Sequence, residues 1–183
     1  MQNTNQNPTK YTPSTAFKVA AAAIFAALVA VATLLFVLPI PGSAGGYFNL
    51  GETLIYIPAL LLGPLVGATA GAGATFADIL SGFAQFAPGT FTIKAIEGFI
   101  VGFINQKLNM KIKNITISAT IAVIIGGFEM VAGYFLYETL ILGYPLALAA
   151  VEVPFNIVQM LIGLIVAVPI MHAVLKVFPQ LKS

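Results

Sequence analysis

The sequence predicts an all-α membrane protein: a bundle of six transmembrane helices with both termini cytoplasmic. Three observations predict it. The 183 residues are 59% hydrophobic and only 8% charged, with a mean hydropathy of +0.99. A soluble domain carries about 25% charged residues; with so few, a folded chain has too little polar surface for water, and lipid removes that demand. The apolar residues gather in runs close to the roughly 20 residues that a spanning helix needs. Finally, the lysines fall in groups between those runs, as the positive-inside rule requires.

The elements follow in order. Residues 1–15 are polar and are expected as a flexible tail. They are not read as a cleaved signal, because no short apolar core and cleavage site follow a charged start. Residues 16–176 are expected as a single transmembrane domain and 177–183 as a short cytoplasmic tail. Span one runs from Ala16 to Leu38 and is closed by Pro39-Ile40-Pro41-Gly42. The stretch Glu52–Leu80 is short for two crossings and long for one, at about 1.5 Å of rise per residue. Span four covers Thr90–Asn105, span five Ile115–Leu136 and span six Leu146–Val174.

Lysine placement decides the difficult stretch. Lys10 and Lys18 flank span one, Lys107, Lys111 and Lys113 follow span four, and Lys176 and Lys182 follow span six. Placing all three groups in the cytoplasm requires an even number of crossings between the first and the second. Two short crossings broken at Gly63-Pro64 give that parity, and short, Gly/Pro-interrupted spans tend to line a site. The connections Pro39–Gly51, Ser81–Gly89 and Tyr137–Pro145 then lie outside. They are rich in glycine and aromatics, which suits a lid and equally suits ordinary turns.

Several chemistries are excluded. Cysteine is absent, which removes disulfides and thiolate sites. All eight basic residues are lysine, so there is no bidentate guanidinium clamp. A net charge of +2 is too small to imply nucleic acid. No G-x-x-x-x-G-K-[ST], H-E-x-x-H or G-x-S-x-G is present, so the chain is not expected to hydrolyse ATP, to be an enzyme, or to need a metal or cofactor. No internal repeat relates the two halves, which disfavours inverted-repeat carriers.

The six acids are Glu52, Asp78, Glu97, Glu129, Glu138 and Glu152. On this topology each falls at the outer end, or in the outer half, of its span. Ionisable groups in a membrane usually face a cavity or a partner. Glu97, Glu129 and Glu152, flanked by apolar residues, are read as pocket groups; Glu52, Asp78 and Glu138 are left open between the pocket and the water interface. Lys94 stands three residues before Glu97, on the same helix face. Glu152, Asn156 and Gln159 share a face by their i, i+4, i+7 spacing, beside Pro154, which bends the helix and frees a carbonyl. Tyr134, Tyr137 and Tyr144 can stack on a flat ligand or anchor at the interface. His172, at the inner end of span six, is not read as a site. The candidate substrate residues are therefore Asn49, Lys94, Glu97, Glu129, Tyr134, Glu152, Asn156 and Gln159.

Span one carries a second feature. At about 100° per residue, Ala16, Ala20, Ala23, Ala27 and Ala30 fall in a sector roughly 80° wide. Small residues let helices approach closely where lipid supplies no drive between them. The residues alone leave open whether this face packs inside the bundle or against a partner. Gly63, Gly67 and Gly71, with Ala70 and Ala74, mark another close approach.

A family resemblance rests on Tyr47-Phe48-Asn49-Leu50-Gly51-Glu52, Gly63-Pro64-Leu65-Val66-Gly67, Ala77-Asp78, and Lys94 with Glu97-Gly98-Phe99-Ile100-Val101-Gly102. In their order and spacing these resemble the substrate-binding S components of energy-coupling factor (ECF) vitamin transporters, in the group with riboflavin, pyridoxine and hydroxymethylpyrimidine carriers. The resemblance spans about Ala16 to Val174. It implies a six-helix subunit of the cell membrane that captures a vitamin at the outer face and works with a T component and two ATPase subunits. The alanine face of span one is similar to the surface by which such subunits dock on the T component. The acid-rich pocket and the lack of arginine favour a neutral or basic heterocycle. Two other readings are weighed. A membrane-embedded enzyme would need a metal or an acid–base pair in the core, and the single histidine lies at the wrong end. A stand-alone proton-coupled carrier or channel would use Glu97 or Glu129 as a relay.

Overall fold

The computed structural model describes residues 13–43 and 45–181. The expectations for most of the polar tail, including Lys10, and for Lys182 lie outside the described residues. Among the described residues the secondary structure is helical apart from one hairpin of two-residue strands.

Helix α1 (Thr15–Leu35) starts where the Ser14 hydroxyl accepts from the Phe17 amide at 3.2 Å, one of the free donors that an N-cap serves. It gives way to the hairpin β1 (Leu38–Pro39) and β2 (Tyr47–Phe48), antiparallel with Leu38 opposite Phe48. The sequence reading placed only a loop here. Helix α2 (Gly51–Leu62) begins under Asn49, whose side-chain oxygen accepts from the Gly51 amide at 2.8 Å. It stops at Gly63, with φ +94°, a conformation that glycine adopts without penalty. Pro64 then opens α3 (Pro64–Gly71), where its missing amide costs nothing. The break lies where the sequence placed it. After Ala72 the chain continues as α4 (Gly73–Leu80).

Helix α5 (Ala87–Ile112) ends at Lys113 in a left-handed conformation. The Asn114 side chain then accepts from the Ile117 amide at 3.1 Å and starts α6 (Ile115–Leu136). A π-helical turn, Tyr137–Ile141, follows. Helix α7 (Leu146–Val177) is continuous through Pro154 and Pro169; at 32 residues it is about 48 Å long, longer than a bilayer core.

Among the described residues four helical stretches, α1, α5, α6 with its π turn, and α7, are long and apolar enough to cross a membrane. Each exposes large apolar side chains, among them Val19, Ile24 and Leu35 on α1, Phe91 and Phe103 on α5, Phe128 on α6 and Ile165 on α7. Such surfaces belong in lipid, and the protein is membrane-embedded. Helix α2, about 18 Å long, is the inverse: Ile55, Tyr56, Ile57, Ala59 and Leu60 are all buried in the main core, and it packs against α1, α3, α5 and α7.

Glycine sets the closest crossings. A Cβ on Gly67 would strike the Gly98 carbonyl, one on Gly98 the Gly67 carbonyl, and one on Gly71 the Lys94 carbonyl. Helices α3 and α5 thus touch backbone to backbone, the small-residue packing that membrane helices favour. Gly73 does the same against Ala26 of α1. One end of the bundle gathers the hairpin, the α4–α5 connection and the α6–α7 connection: the Tyr47 and Phe83 rings lie 4.7 Å apart and the Phe86 and Tyr144 rings 6.4 Å apart.

Candidate substrate-binding site

Beneath those three loops lies a cavity lined by Tyr47 and Asn49 of the hairpin segment, Ala74 and Asp78 of α4, Phe86, Thr90 and Lys94 at and after the start of α5, Tyr134 of α6, and Glu152, Asn156 and Gln159 of α7. It is narrow, about 30 Å³, room for about two or three water molecules.

Helical spacing puts the polar groups there. Thr90, Lys94 and Glu97 are at i, i+4, i+7 on α5, and Glu152, Asn156 and Gln159 repeat that spacing on α7; all six are buried. The contact of Gly71 with the Lys94 backbone draws α5 inward at that level. Lys94 Nζ forms an ion pair with Glu52 of α2 and a second, at 3.3 Å, with Glu97. The other Glu97 oxygen accepts from the Tyr56 hydroxyl at 2.7 Å. Gln159 donates to Glu52 at 2.8 Å, and its carbonyl accepts from the Asn49 amide at 2.9 Å. One network therefore ties α2, α5 and α7 to the hairpin. Burying an ion pair is favourable only with such additional hydrogen bonds. The Tyr134 hydroxyl donates to Thr90 at 3.0 Å, and its ring centroid lies 5.3 Å from Lys94 Nζ.

Tyr47 closes the cavity from above, donating its hydroxyl to Asp78. Burial, then the Asp78 carboxylate, raise its pKa far above the ordinary phenol range, so it stays a donor.

Of the eight sequence candidates, Asn49, Lys94, Tyr134, Glu152, Asn156 and Gln159 line the cavity. Glu97 is fully buried behind Lys94 and is not in the lining. Glu129 is half-buried on α6, also outside the lining, with one oxygen buried and unpartnered. The three acids left open by the sequence are all buried: Glu52 in the Lys94 network, Asp78 in the cavity wall, and Glu138 against Glu152. Asp78 is left open by the sequence, and Tyr47, Phe86 and Thr90 are not among its candidates. Their loop-proximal positions look interfacial in one dimension; the i, i+4 step from Thr90 to Lys94 was the available signal. His172 is exposed and shares a 2.9 Å hydrogen bond with Thr116.

The fold is thus a membrane-embedded helical bundle with a buried polar cavity capped by loops at one end. Among solved structures, the fold matches the S component of a bacterial ECF transporter with a TM-score of 0.66, covering 88% of this chain and 96% of that one at 17% identity. The chain belongs to the ECF-type riboflavin transporter S-component family, whose model matches residues 14–176. Relatives include an uncharacterized protein in the gap 3' region of Pyrococcus woesei, 36% identical over 139 residues, 75% of this chain and 88% of that one. The thiamine precursor transporter HmpT of Lactococcus lactis subsp. cremoris (strain MG1363) is 33% identical over 146 residues, 79% of this chain and 80% of the relative.

Proposed function

We propose that this S component captures a water-soluble vitamin or related small heterocycle at the outer face of the cell membrane and delivers it inward with a T component and two ATPase subunits. The observation that carries this reading is the polar cavity beneath three converging loops in a bundle whose exterior is apolar. Asn49, Lys94, Tyr134, Glu152, Asn156 and Gln159 are its binding residues, with Glu97 and Glu129 behind them. Family membership supports the transport role. Energy has to come from other chains, since the sequence has no phosphate-binding loop.

The same proposal has residues 16–176 as one multi-pass domain, crossing six times with both termini cytoplasmic. Helix α2 makes one short crossing and α3 with α4 the other. Their supports are the lysine groups and the gathering of the hairpin, α4–α5 and α6–α7 connections at one end. The alanine face of α1 is its docking surface: Ala16, Ala20, Ala23 and Ala27 are exposed and Ala30 half-buried, while Ala26 on the adjoining face takes up the packing against Gly73.

A cavity this small admits a ring only when the loops part, so Tyr47 acts as a latch on Asp78. Native mass spectrometry of the full chain, purified in mild detergent, tests the reading: it should carry a small heterocycle that Asn156→Ala and Gln159→Ala lose. Equal occupancy in folded preparations of both variants would remove the cavity as the site.

A further inference from the structure

Charge is divided between the two ends of the bundle. The carboxylates of Glu52, Asp78, Glu97, Glu138 and Glu152 belong to the cavity and the network around it, and Glu129 stands close to Glu97. The opposite end is basic: Lys18 lies near the start of α1, Lys107, Lys111 and Lys113 close α5, and Lys176 lies in the last turn of α7. Among the described residues none of these five lysines has a carboxylate partner. At that end a groove of about 480 Å³ opens between α1, the α2–α3 break and α5. Its walls are largely apolar, from Val19 and Ala22 of α1 and Leu65 of α3. Val19 is 64% and Leu65 73% exposed, so the groove faces lipid. Thr15, half-buried Lys18 and Gln106 bring polar groups into it. The Gln106 amide lies over Gly63, where a Cβ would come 2.4 Å from its nitrogen.

We propose that this groove seats an anionic phospholipid, whose phosphate accepts from Lys18, Thr15 and Gln106 while its acyl chains lie along Val19, Ala22 and Leu65. The two chemistries of the groove ask for one amphiphilic occupant. A hydrocarbon chain alone would leave the ammonium in an apolar setting without an anion, which is costly. A free phosphate would leave the apolar walls uncovered. The basic end attracts such lipids, because a lysine near an anionic membrane surface adds a pull that fades within a Debye length. Lys18 stands about 5 Å inside the end of α1, a depth from which a lysine reaches the head-group layer. At about 100° per residue, Thr15, Lys18, Val19 and Ala22 lie about 120° around α1 from Ala16, Ala20, Ala23 and Ala27. The lipid therefore leaves the alanine face free, and its site is separate from the substrate cavity.

The test is native mass spectrometry of the full chain in mild detergent, titrated with palmitoyl-oleoyl phosphatidylglycerol and with phosphatidylcholine of the same chains. The first lipid bound should be phosphatidylglycerol by about fivefold, the contribution of one lysine beside an anionic head group. Lys18→Gln, checked for helicity, should bring the two lipids to parity, and Lys18→Arg should keep the preference. Lys111→Gln removes a lysine of the same end outside the groove and should keep it as well. Glycerol 1-phosphate, a head group without chains, should not displace the lipid at equal concentration. Equal binding of the two lipids by the parent chain, or a preference that survives Lys18→Gln, overturns the proposal. A loss in Lys111→Gln as large as in Lys18→Gln makes the preference a property of the whole basic end and overturns the groove as its seat. Displacement by glycerol 1-phosphate shows an anion site with no use for the chains and overturns the lipid assignment. Binding of neither lipid by the folded chain leaves this face to a protein partner, and the proposal falls.

Discussion

Lys94 is the residue on which the interior depends. Its ammonium neutralises two carboxylates on different helices, Glu52 and Glu97, in a place that water does not reach. Removing one member of a buried pair leaves uncompensated charge and costs about 3–5 kcal/mol. Lys94→Met should lose stability on that order in denaturant titrations followed by circular dichroism, and adding Glu52→Gln should recover part of the loss. A Lys94→Met protein as stable as its parent would mean the three groups are not ionised as a unit. Tyr47 makes the second residue-scale prediction. Tyr47→Phe removes the donor that holds the hairpin to Asp78; a hydrogen bond to a charged group contributes about 1.5–3 kcal/mol. Ligand dissociation measured by rapid dilution should therefore quicken about tenfold or more, with the fold unchanged. An unaltered dissociation rate would show that the hairpin is not a latch.

At the scale of elements, two helix surfaces built from small residues are used in opposite ways. Helices α3 and α5 meet through Gly67 and Gly98 with no room for a side chain. Gly98→Val should force them apart, with an overpacking cost of about 1–3 kcal/mol. It should weaken ligand binding as well, because Asp78 and Lys94 ride on the two sides of that contact; intact stability and affinity would contradict the crossing. On α1 the alanines at 16, 20, 23 and 27 face outward. Ala27→Trp should abolish uptake by cells carrying the complete transporter and leave binding to the isolated chain intact. If binding falls together with uptake, the face serves the bundle and not a partner.

For the molecule as a whole, the prediction concerns direction in the membrane. The cavity lies at the end where the hairpin and the α4–α5 and α6–α7 connections meet, away from Lys107, Lys111 and Lys113 at the other end of α5. Cysteines at Ser43 and Lys111 should react with an impermeant maleimide from opposite sides of sealed vesicles, in a background that has no cysteine. Reaction from the same side rules out the six-crossing arrangement, since an odd number of crossings must separate the two positions.

Composition and the lengths of the apolar runs determined the solvent, the all-α class, and α1, α5, α6 and α7 to within a few residues, α5 extending furthest beyond its expected ends. Those signals are local: a 20-residue apolar run has few structures open to it in lipid, where every backbone group must bond within its own segment. The Gly63-Pro64 break was legible for the same reason, a backbone conformation written in residue type. Periodicity likewise put Glu152, Asn156 and Gln159 on one face. Only the tertiary structure decided what those faces meet. Glu97 and Lys94 are neighbours on α5, yet Lys94 also turns to Glu52, 42 residues away, and so Glu97 stands behind the cavity and not in it. Asp78, Glu138 and Glu52 stand close to loops in sequence, which left them open between the pocket and the water interface; they are buried because the hairpin folds over one end of the bundle and the glycine contacts draw α3 and α5 together. Depth in a bundle is set by how closely neighbouring helices approach, and that distance is a property of pairs of surfaces, which no single stretch of sequence contains.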